Sequence, residues 1–467
     1  MGRYQDALDF IFGYVNYEKV PRYAYTALTL NLDRMHALLV RLGNPQNRFQ
    51  AVHIAGTKGK GSTSALVESV LRTAGYRTGL YTSPHLHTFR ERIRVAGALI
   101  PKQDLADLLA RCRPAIEATP DVIAFEIITA LAFVYFAQRE VEWAVLEVGL
   151  GGRLDATNVV KPAVCGITSL SYDHVERLGH DLTQIAREKA GIIKPGVPVV
   201  SEPQEPEAMA ILRQAAAETG ARLVTVGVDW TYDVDGFDRE AQTFSVRRTA
   251  DAHVLPDLHI PLLGRHQLAN AATAIAMLAE LSAQGLAVGD EALRGGLAAT
   301  RWPGRFETLA RQPALVVDGA HNADSAHKLR TALRDWFPPR SGRRLALIFG
   351  SSGDKDITGM LEAFLNNATD KIILTRSGHP RSANPHRLAE DAHRINPSVP
   401  VSVRDTLDDA LDEAVAWAGP DDVICVTGSL FVVAQARRAW AKRNPAAFAA
   451  NDWVWQDETP GEAVSDG

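Results

Sequence analysis

The sequence predicts an α/β protein of two units, and three observations predict it. Short apolar runs alternate with amphipathic helical stretches from residue 51 to residue 226 and again from 315 to 427, which is the rhythm of βαβ units and parallel sheets with helices on both faces. Between the two series, residues 227–261 break step: alternating pieces such as 243–246 and the turn-forming pair Asp235-Gly236 point to a small antiparallel β insert. Beyond it, Arg301-Trp302-Pro303-Gly304-Arg305 interrupts regular structure and marks a boundary. The expected division is residues 1–299, residues 300–445, and a tail over 446–467.

In chain order, residues 4–17 and 30–42 carry helical spacing, the second (Leu30, Leu38, Leu39, Leu42) stopping at Gly43 with Pro45 beyond. The first strand is expected at 51–55, followed by a helix from near Ser62 to Thr73, closed by Gly75, and a strand at 78–82. Further strands are expected at 143–148, 163–169, 197–200 and 223–226, with helices between them. The apolar stretch 127–137 falls well short of the ~20 residues that cross a bilayer, so it reads as a buried helix. After the insert come helices at 266–282 and 291–299. The second unit has strands at 315–317, 345–349, 371–375, 399–403 and 423–427, each followed by a helix. The chain ends DETPGEAVSDG, polar and acidic, and a disordered tail is expected after 445.

Composition excludes several classes. With 467 residues and a net charge of −5, and with no basic run or interleaved aromatic patch, the chain offers no track for nucleic acid. Cys112, Cys165 and Cys425 are widely spaced and make no CxxC pair, which fits a reducing cytoplasm. The start, MGRYQDALDF, has no apolar signal core, and Asp6 stands where a myristoylation signal needs Ser or Thr. The expectation is a soluble cytoplasmic protein with no membrane partner.

The chemistry centres on residues 53–64, HIAGTKGKGSTS. Gly56, Gly59 and Gly61 let the backbone turn tightly and aim N–H groups at an anion, Lys60 adds a positive charge, and Ser62 and Thr63 open a helix whose N-terminus favours phosphate. The strict Walker pattern is departed from twice: Ile54 stands where a Gly is expected, and Gly61 follows the lysine in place of Ser or Thr. In an open α/β sheet ligands sit beyond the carboxyl ends of strands, where Ser83-Pro84-His85, Glu147 and Asp173-His174 should join the loop. Glu147 and Ser83 are suited to Mg²⁺, which takes hard oxygen ligands, although Glu147 also reads as an edge carboxylate. His174 reads equally as a solvent-facing loop histidine, and Lys189 as an ordinary helix lysine. Arg305, at the boundary, is placed either to reach phosphates from the second unit or to pair on the surface. Asp318 and His321 follow the second unit's first strand, with Asn322 as a helix cap.

Taken together, HIAGTKGKGSTSALV, YTSPHLHTFRERIRVAG, LEVGLGGRLDATN, REKAGIIKPGVPVV, RWPGRFE, VVDGAHN and VTGSL resemble, in that order, the folylpolyglutamate synthase and dihydrofolate synthase branch of the Mur ligase family. The resemblance implies an N-terminal P-loop ATPase domain, a C-terminal Rossmann-like α/β domain, and ATP-dependent amide ligation between them. An acceptor carboxylate would take the γ-phosphoryl group, and L-glutamate would then displace phosphate. By matching motif, Gly56, Thr57, Lys58, Gly59, Lys60, Gly61 and Ser62 would hold ATP with Asn270, Arg305 and Asp318. Ser83 and Glu147 would bind one Mg²⁺ and His174 a second metal. Lys189 falls on the family's carbamylated lysine, an anion able to support that second site. His321 lies in the interdomain segment. Phe125, Glu126, Leu154, Asp155, Ala156 and the loop after Ser83 would face the reduced folate or dihydropteroate. The family also implies a monomer. Two positions depart from the pattern: Lys58 stands where many members have Asn, and Ala124 precedes Phe125 where the bacterial pattern is more polar or aromatic. The alternatives are a ligase of UDP-muramoyl precursors, which usually carries an extra N-terminal domain, and a P-loop switch, which needs no second α/β unit.

Overall fold

The computed structural model describes residues 2–16, 30, 32–338, 340, 342–366 and 369–456. Strands β1 (Gln50–Ala55), β2 (Thr78–Tyr81), β3 (Ile93–Val95), β4 (Ala98–Leu99), β5 (Trp143–Glu147), β6 (Val164–Ile167), β7 (Val199–Ser201) and β8 (Leu223–Thr225) make one sheet in the order β4-β3-β2-β5-β1-β6-β7-β8. β1 lies at its centre, parallel to β5 and β6, and its residues from Ala51 to Ala55 are all buried, as a strand covered on both faces must be. Its side chains alternate between cores. Val52 and Ile54 pack with Leu66, Leu268 and Ile275, from the helices Lys60–Thr73 and Arg265–Ala283, while Ala51 joins Leu105 and Leu131 on the opposite face.

The sheet is parallel, as expected, except at one edge, which the sequence did not reveal. β2 pairs antiparallel with β3, and β3 with β4. Ala96 and Gly97 both have positive φ, 50° and 79°, the conformation of a tight two-residue hairpin turn. The signal was Ala-Gly between apolar residues. The β insert is present as β9 (Trp230–Phe237), β10 (Gln242–Arg248) and β11 (Val254–Ile260), antiparallel throughout. Its turn, however, is not Asp235-Gly236, which lies within β9. The chain reverses after it, where the Asp238 carboxylate accepts the amides of Glu240 and Ala241.

The second sheet contains β12 (Glu307–Arg311), β13 (Ala314–Val317), β14 (Leu345–Phe349), β15 (Lys371–Leu374), β16 (Val401–Val403) and β17 (Val423–Thr427), in the order β12-β13-β17-β14-β15-β16. β12 runs antiparallel to β13 and was not foreseen. The N-terminal helix is shorter than its apolar spacing suggests, Arg3–Phe12, stopped at Gly13, and residue 17 lies outside the described residues, as does residue 31 ahead of the helix Leu32–Arg41. The expected tail is corrected over residues 446–456 only. Pro445–Ala447 and Trp453–Gln456 are short 3-10 turns, and Trp453 packs on Trp302; 457–467 lie outside the described residues. The three cysteines are buried free thiols. Among the described residues, no helix is long and apolar enough to cross a membrane.

Candidate active site

The loop after β1 turns where its glycines allow. Gly56 (φ 154°) passes so close to Thr168 that a Cβ would collide with its hydroxyl, and Gly59 (φ 93°) lies the same way against the Asn270 side-chain oxygen. Gly59 caps the helix, which starts at Lys60, ahead of the expected Ser62. Not every amide of the loop is open to an anion. The N–H groups of Thr57 and Lys58 both donate to the Ser169 carbonyl, at 2.9 and 3.1 Å. The amides of Gly59, Lys60, Gly61 and Ser62 have no backbone acceptor among the described residues, so the cradle is narrower than the motif, and it sits on the helix N-terminus. Asn270 is fixed beside it by donating to Gln267 (2.8 Å) and accepting from Thr63.

Across the cradle, β5 ends in Glu147. This carboxylate is 5% exposed and accepts the Ser83 amide at 3.1 Å. Burial pushes its pKa up against the pull of Lys60, the Ser83 amide, Arg305 and Arg94. A buried acid ringed by cations and holding one side-chain hydrogen bond, next to a serine hydroxyl, suits a hard cation whose remaining ligands are phosphate and water. Among the described residues, no three His, Cys, Asp or Glu side chains gather into a cage for a metal. Arg305 reaches this place from the second unit. Its charge is disfavoured by burial and supported by Asp318 and Glu147. Asp318 is held by the amides of Phe306 and Ala320, each at 2.8 Å.

A second cluster joins the units. Lys58 Nζ donates to Asp173 Oδ2 at 2.7 Å and to His321 Nε2 at 2.9 Å, while Lys355 Nζ lies 3.3 Å from Asp173 Oδ1. His321 donates from Nδ1 to the Gly319 carbonyl (2.8 Å), so the ring is neutral with Nε2 as acceptor. Burial raises the Asp173 pKa, but the Lys58 and Lys355 ammonium groups outweigh it and hold the carboxyl below its ordinary range. The Lys58 ammonium is thus committed to Asp173 and His321. His174, with φ 51°, opens the one-turn helix Val175–Leu178 and stays part-exposed. Lys189 is the departure from composition. It is 4% exposed, donates to the Gly56 carbonyl at 2.7 Å, and burial, with Lys60 nearby, lowers its pKa to about 7.

On the far side of β5, Phe125 lies under Gly149 and near Tyr81. Glu126 is buried and paired with Arg34 at 2.9 Å, and it caps its own helix through the Ile123 amide. The Asp155 carboxylate is turned inward. Its oxygens accept the amides of Gly149, Leu150 and Thr157 and the Thr157 hydroxyl, which in turn bonds His53. Leu154 and Ala156 flank it on the loop that these bonds shape. Sequence reasoning missed Lys355, Thr168, Trp302 and Arg94. Lys355 follows β14 at a carboxyl edge, so the rule that found Glu147 reaches it too.

Comparison with known proteins gives the same arrangement a lineage. The Mur ligase middle domain matches residues 54–278, and the Mur ligase, glutamate ligase domain matches 304–430. Dihydrofolate synthase/folylpolyglutamate synthase of Bacillus subtilis (strain 168) is 34% identical over 446 residues, 93% of this chain and 98% of that protein. Folylpolyglutamate synthase of Lacticaseibacillus casei is 35% identical, with 91% and 98% covered. The Escherichia coli protein solved in complex with DHPP and ADP has 32% identity and a TM-score of 0.82, covering 94% of this chain and 98% of its own. Relatives that match over nearly their whole length, together with both Mur ligase domain matches and a shared fold, leave one assignment: the chain belongs to the folylpolyglutamate synthase/dihydrofolate synthase family of Mur ligases, which are ATP-dependent amide ligases.

Proposed function

We infer that the chain joins the amino group of L-glutamate to the carboxylate of a reduced folate, using ATP, and that dihydropteroate is a second acceptor. The observation that carries this reading is the meeting of the open cradle at residues 59–62, the buried Glu147 and the incoming Arg305 at the carboxyl edges of two sheets. A carboxylate is inert to amines because oxide is a poor leaving group. Attack of the acceptor carboxylate on the γ-phosphorus releases ADP and gives an acyl phosphate; attack of the glutamate amine on that carbonyl, with loss of a proton, releases phosphate and leaves the amide. The cradle amides and Lys60 would take the β- and γ-phosphate oxygens, and Arg305 would meet charge developing in transfer. Asn270 and Asp318 would hold the nucleotide, and Phe125, Glu126 and the loop 149–156 would line the acceptor's approach. Glu147 and Ser83 would hold Mg²⁺, which supplies neutralisation of the phosphate charge.

His174 and Lys189 would serve a second metal. A lysine with a pKa of about 7 is about half free amine at neutral pH, and the amine form is able to add CO₂, lose a proton and become a carbamate. Intact mass, with and without bicarbonate, checks this by a gain of one CO₂. Residues 1–299 would act as the ATPase domain and 300–445 as the glutamate-ligase domain of a cytoplasmic monomer. The test of the whole reading is ATP- and Mg²⁺-dependent incorporation of labelled L-glutamate with dihydropteroate and with tetrahydrofolate as parallel acceptors, Lys60→Ala being the control. Incorporation with both supports two activities, and with tetrahydrofolate alone restricts it to polyglutamylation. Incorporation with neither overturns the folate assignment.

A further inference from the structure

The end of the chain does more than cover the second domain. Arg437, on the last long helix, is fully buried, and its guanidinium gathers three separate segments. It donates to Glu307 at 2.8 and 3.0 Å, to Asp452 at 2.9 Å, and to His87 Nε2 at 2.7 Å. Glu307 begins β12 beside the boundary, His87 lies in the loop after Ser83, and Asp452 belongs to the segment that the composition marked as tail. The next residue, Trp453, meets Trp302 edge to face at 6.1 Å between ring centroids, and the two rings enclose the buried Arg94 guanidinium at 4.7 and 4.8 Å. Trp302 in turn lies over Gly61, where a Cβ would come within 2.7 Å of it. Three residues beyond Trp453, Gln456 accepts from Arg90 at 3.2 Å. The loop tied down in this way is itself closed by Glu91, which accepts the amides of Leu86, His87 and Thr88.

We propose that residues 448–456 form a strap that holds the acceptor-side loop 84–92 and the boundary residue Trp302 against the start of the phosphate-loop helix, with Arg437 and Trp453 as positioning residues for the acceptor. The kinetic side of this proposal rests on the ligase reading above. The strap ties two places that must keep register during transfer: the cradle at Gly61 and the loop through which an acceptor carboxylate would approach.

The test is Trp453→Ala in the full chain, with Trp453→Phe as the conservative variant, read by hydrogen exchange and by steady-state kinetics. Exchange at the amides of Leu86, His87 and Thr88 is expected to quicken in Trp453→Ala, with the helix Lys60–Thr73 unchanged. The acceptor KM is expected to rise by about tenfold with kcat within about twofold, and Trp453→Phe to recover most of it. If Trp453→Ala does not fold, Gln456→Ala, which removes one partly exposed contact to Arg90, should show the same direction at about threefold in acceptor KM. Unchanged loop exchange and acceptor KM in a folded variant overturn the proposal, as does a fall in kcat alone. The exchange arm needs no substrate, so a wild-type chain that ligates nothing would refute the ligase reading and leave the strap still tested.

Discussion

Lys58 carries the sharpest test, because its position in the motif and its contacts point to different jobs. Lys58→Met keeps the bulk of the stem and removes the charge. The ammonium lies 2.7 Å from Asp173, and the two side chains are 15% and 9% exposed. Removing one partner of a buried pair costs ~3–5 kcal/mol where no other cation remains. Here the Lys355 ammonium stays 3.3 Å from the same carboxylate, so roughly half of that, about 2 kcal/mol, is expected. The loss should appear as a lower urea midpoint at neutral pH. Because the pair joins the phosphate loop to the second domain through His321, exchange should also quicken around 319–322. The KM for ATP should change by less than about threefold, since the cradle amides and Lys60 are untouched. An unaltered denaturation curve together with a tenfold or greater rise in the KM for ATP would refute this account and return Lys58 to the phosphates.

Three further outcomes follow from the same geometry. Glu147→Gln keeps the Ser83 amide bond but removes the charge between Lys60 and Arg305; kcat/KM for glutamate incorporation should fall by about 10²–10³ with the circular dichroism unchanged. Gly59→Ala forces a Cβ into the Asn270 oxygen at a φ of 93°, and calorimetric titration should show ATP binding weakened at least ~10-fold, with the urea midpoint lowered by the same strain. Glu202 is 4% exposed, accepts the Ser169 amide at 3.1 Å, and is pushed by burial up to about 8, against the pull of Lys328. A carboxyl raised in the folded state adds its full stability below its unfolded pKa near 4.5 and loses it as pH climbs towards 8, so stability should decline over that window and Glu202→Gln should flatten the decline.

The strand-loop-helix at 50–73 was legible because each of its signals is local. Glycine at positive φ, a lysine and an apolar strand all act within twenty residues, and so does the rule that puts polar residues at strand ends, which found Ser83, Glu147 and Asp318. What the sequence concealed depends on partners far away. Lys189 is bland as one lysine on an amphipathic helix, and becomes a depressed amine only because β1 brings the Gly56 carbonyl onto it across 133 residues. Asp155 reads as an acid offered to a ligand until four internal donors are seen to consume it. The tail was misjudged by averaging. Its acidic end hid Trp453-Val454-Trp455, a cluster that buries Val454 and sets an aromatic ring on Arg94. The hairpin of β3 and β4 was too short, three residues and two, to show a period.

The distribution of charge also says why the reaction needs both units. Near the cradle stand Lys58, Lys60, Lys189, Arg94 and Arg305, an apparent excess of cations for a nucleotide. Lys58 is neutralised by Asp173, Lys189 is poised to lose its proton, and Arg94 lies enclosed between two indoles with a bond to Thr82. In the proposed reading, Lys60 and Arg305 would remain to meet phosphate, one from each unit. Phosphate charge bound at Lys60 would therefore favour the arrangement seen here, with Arg305 beside Glu147 and His321 bonded to Lys58. Neutralising the phosphate and holding the two units together would then be one event, which would keep an acyl phosphate from meeting water before the amine arrives.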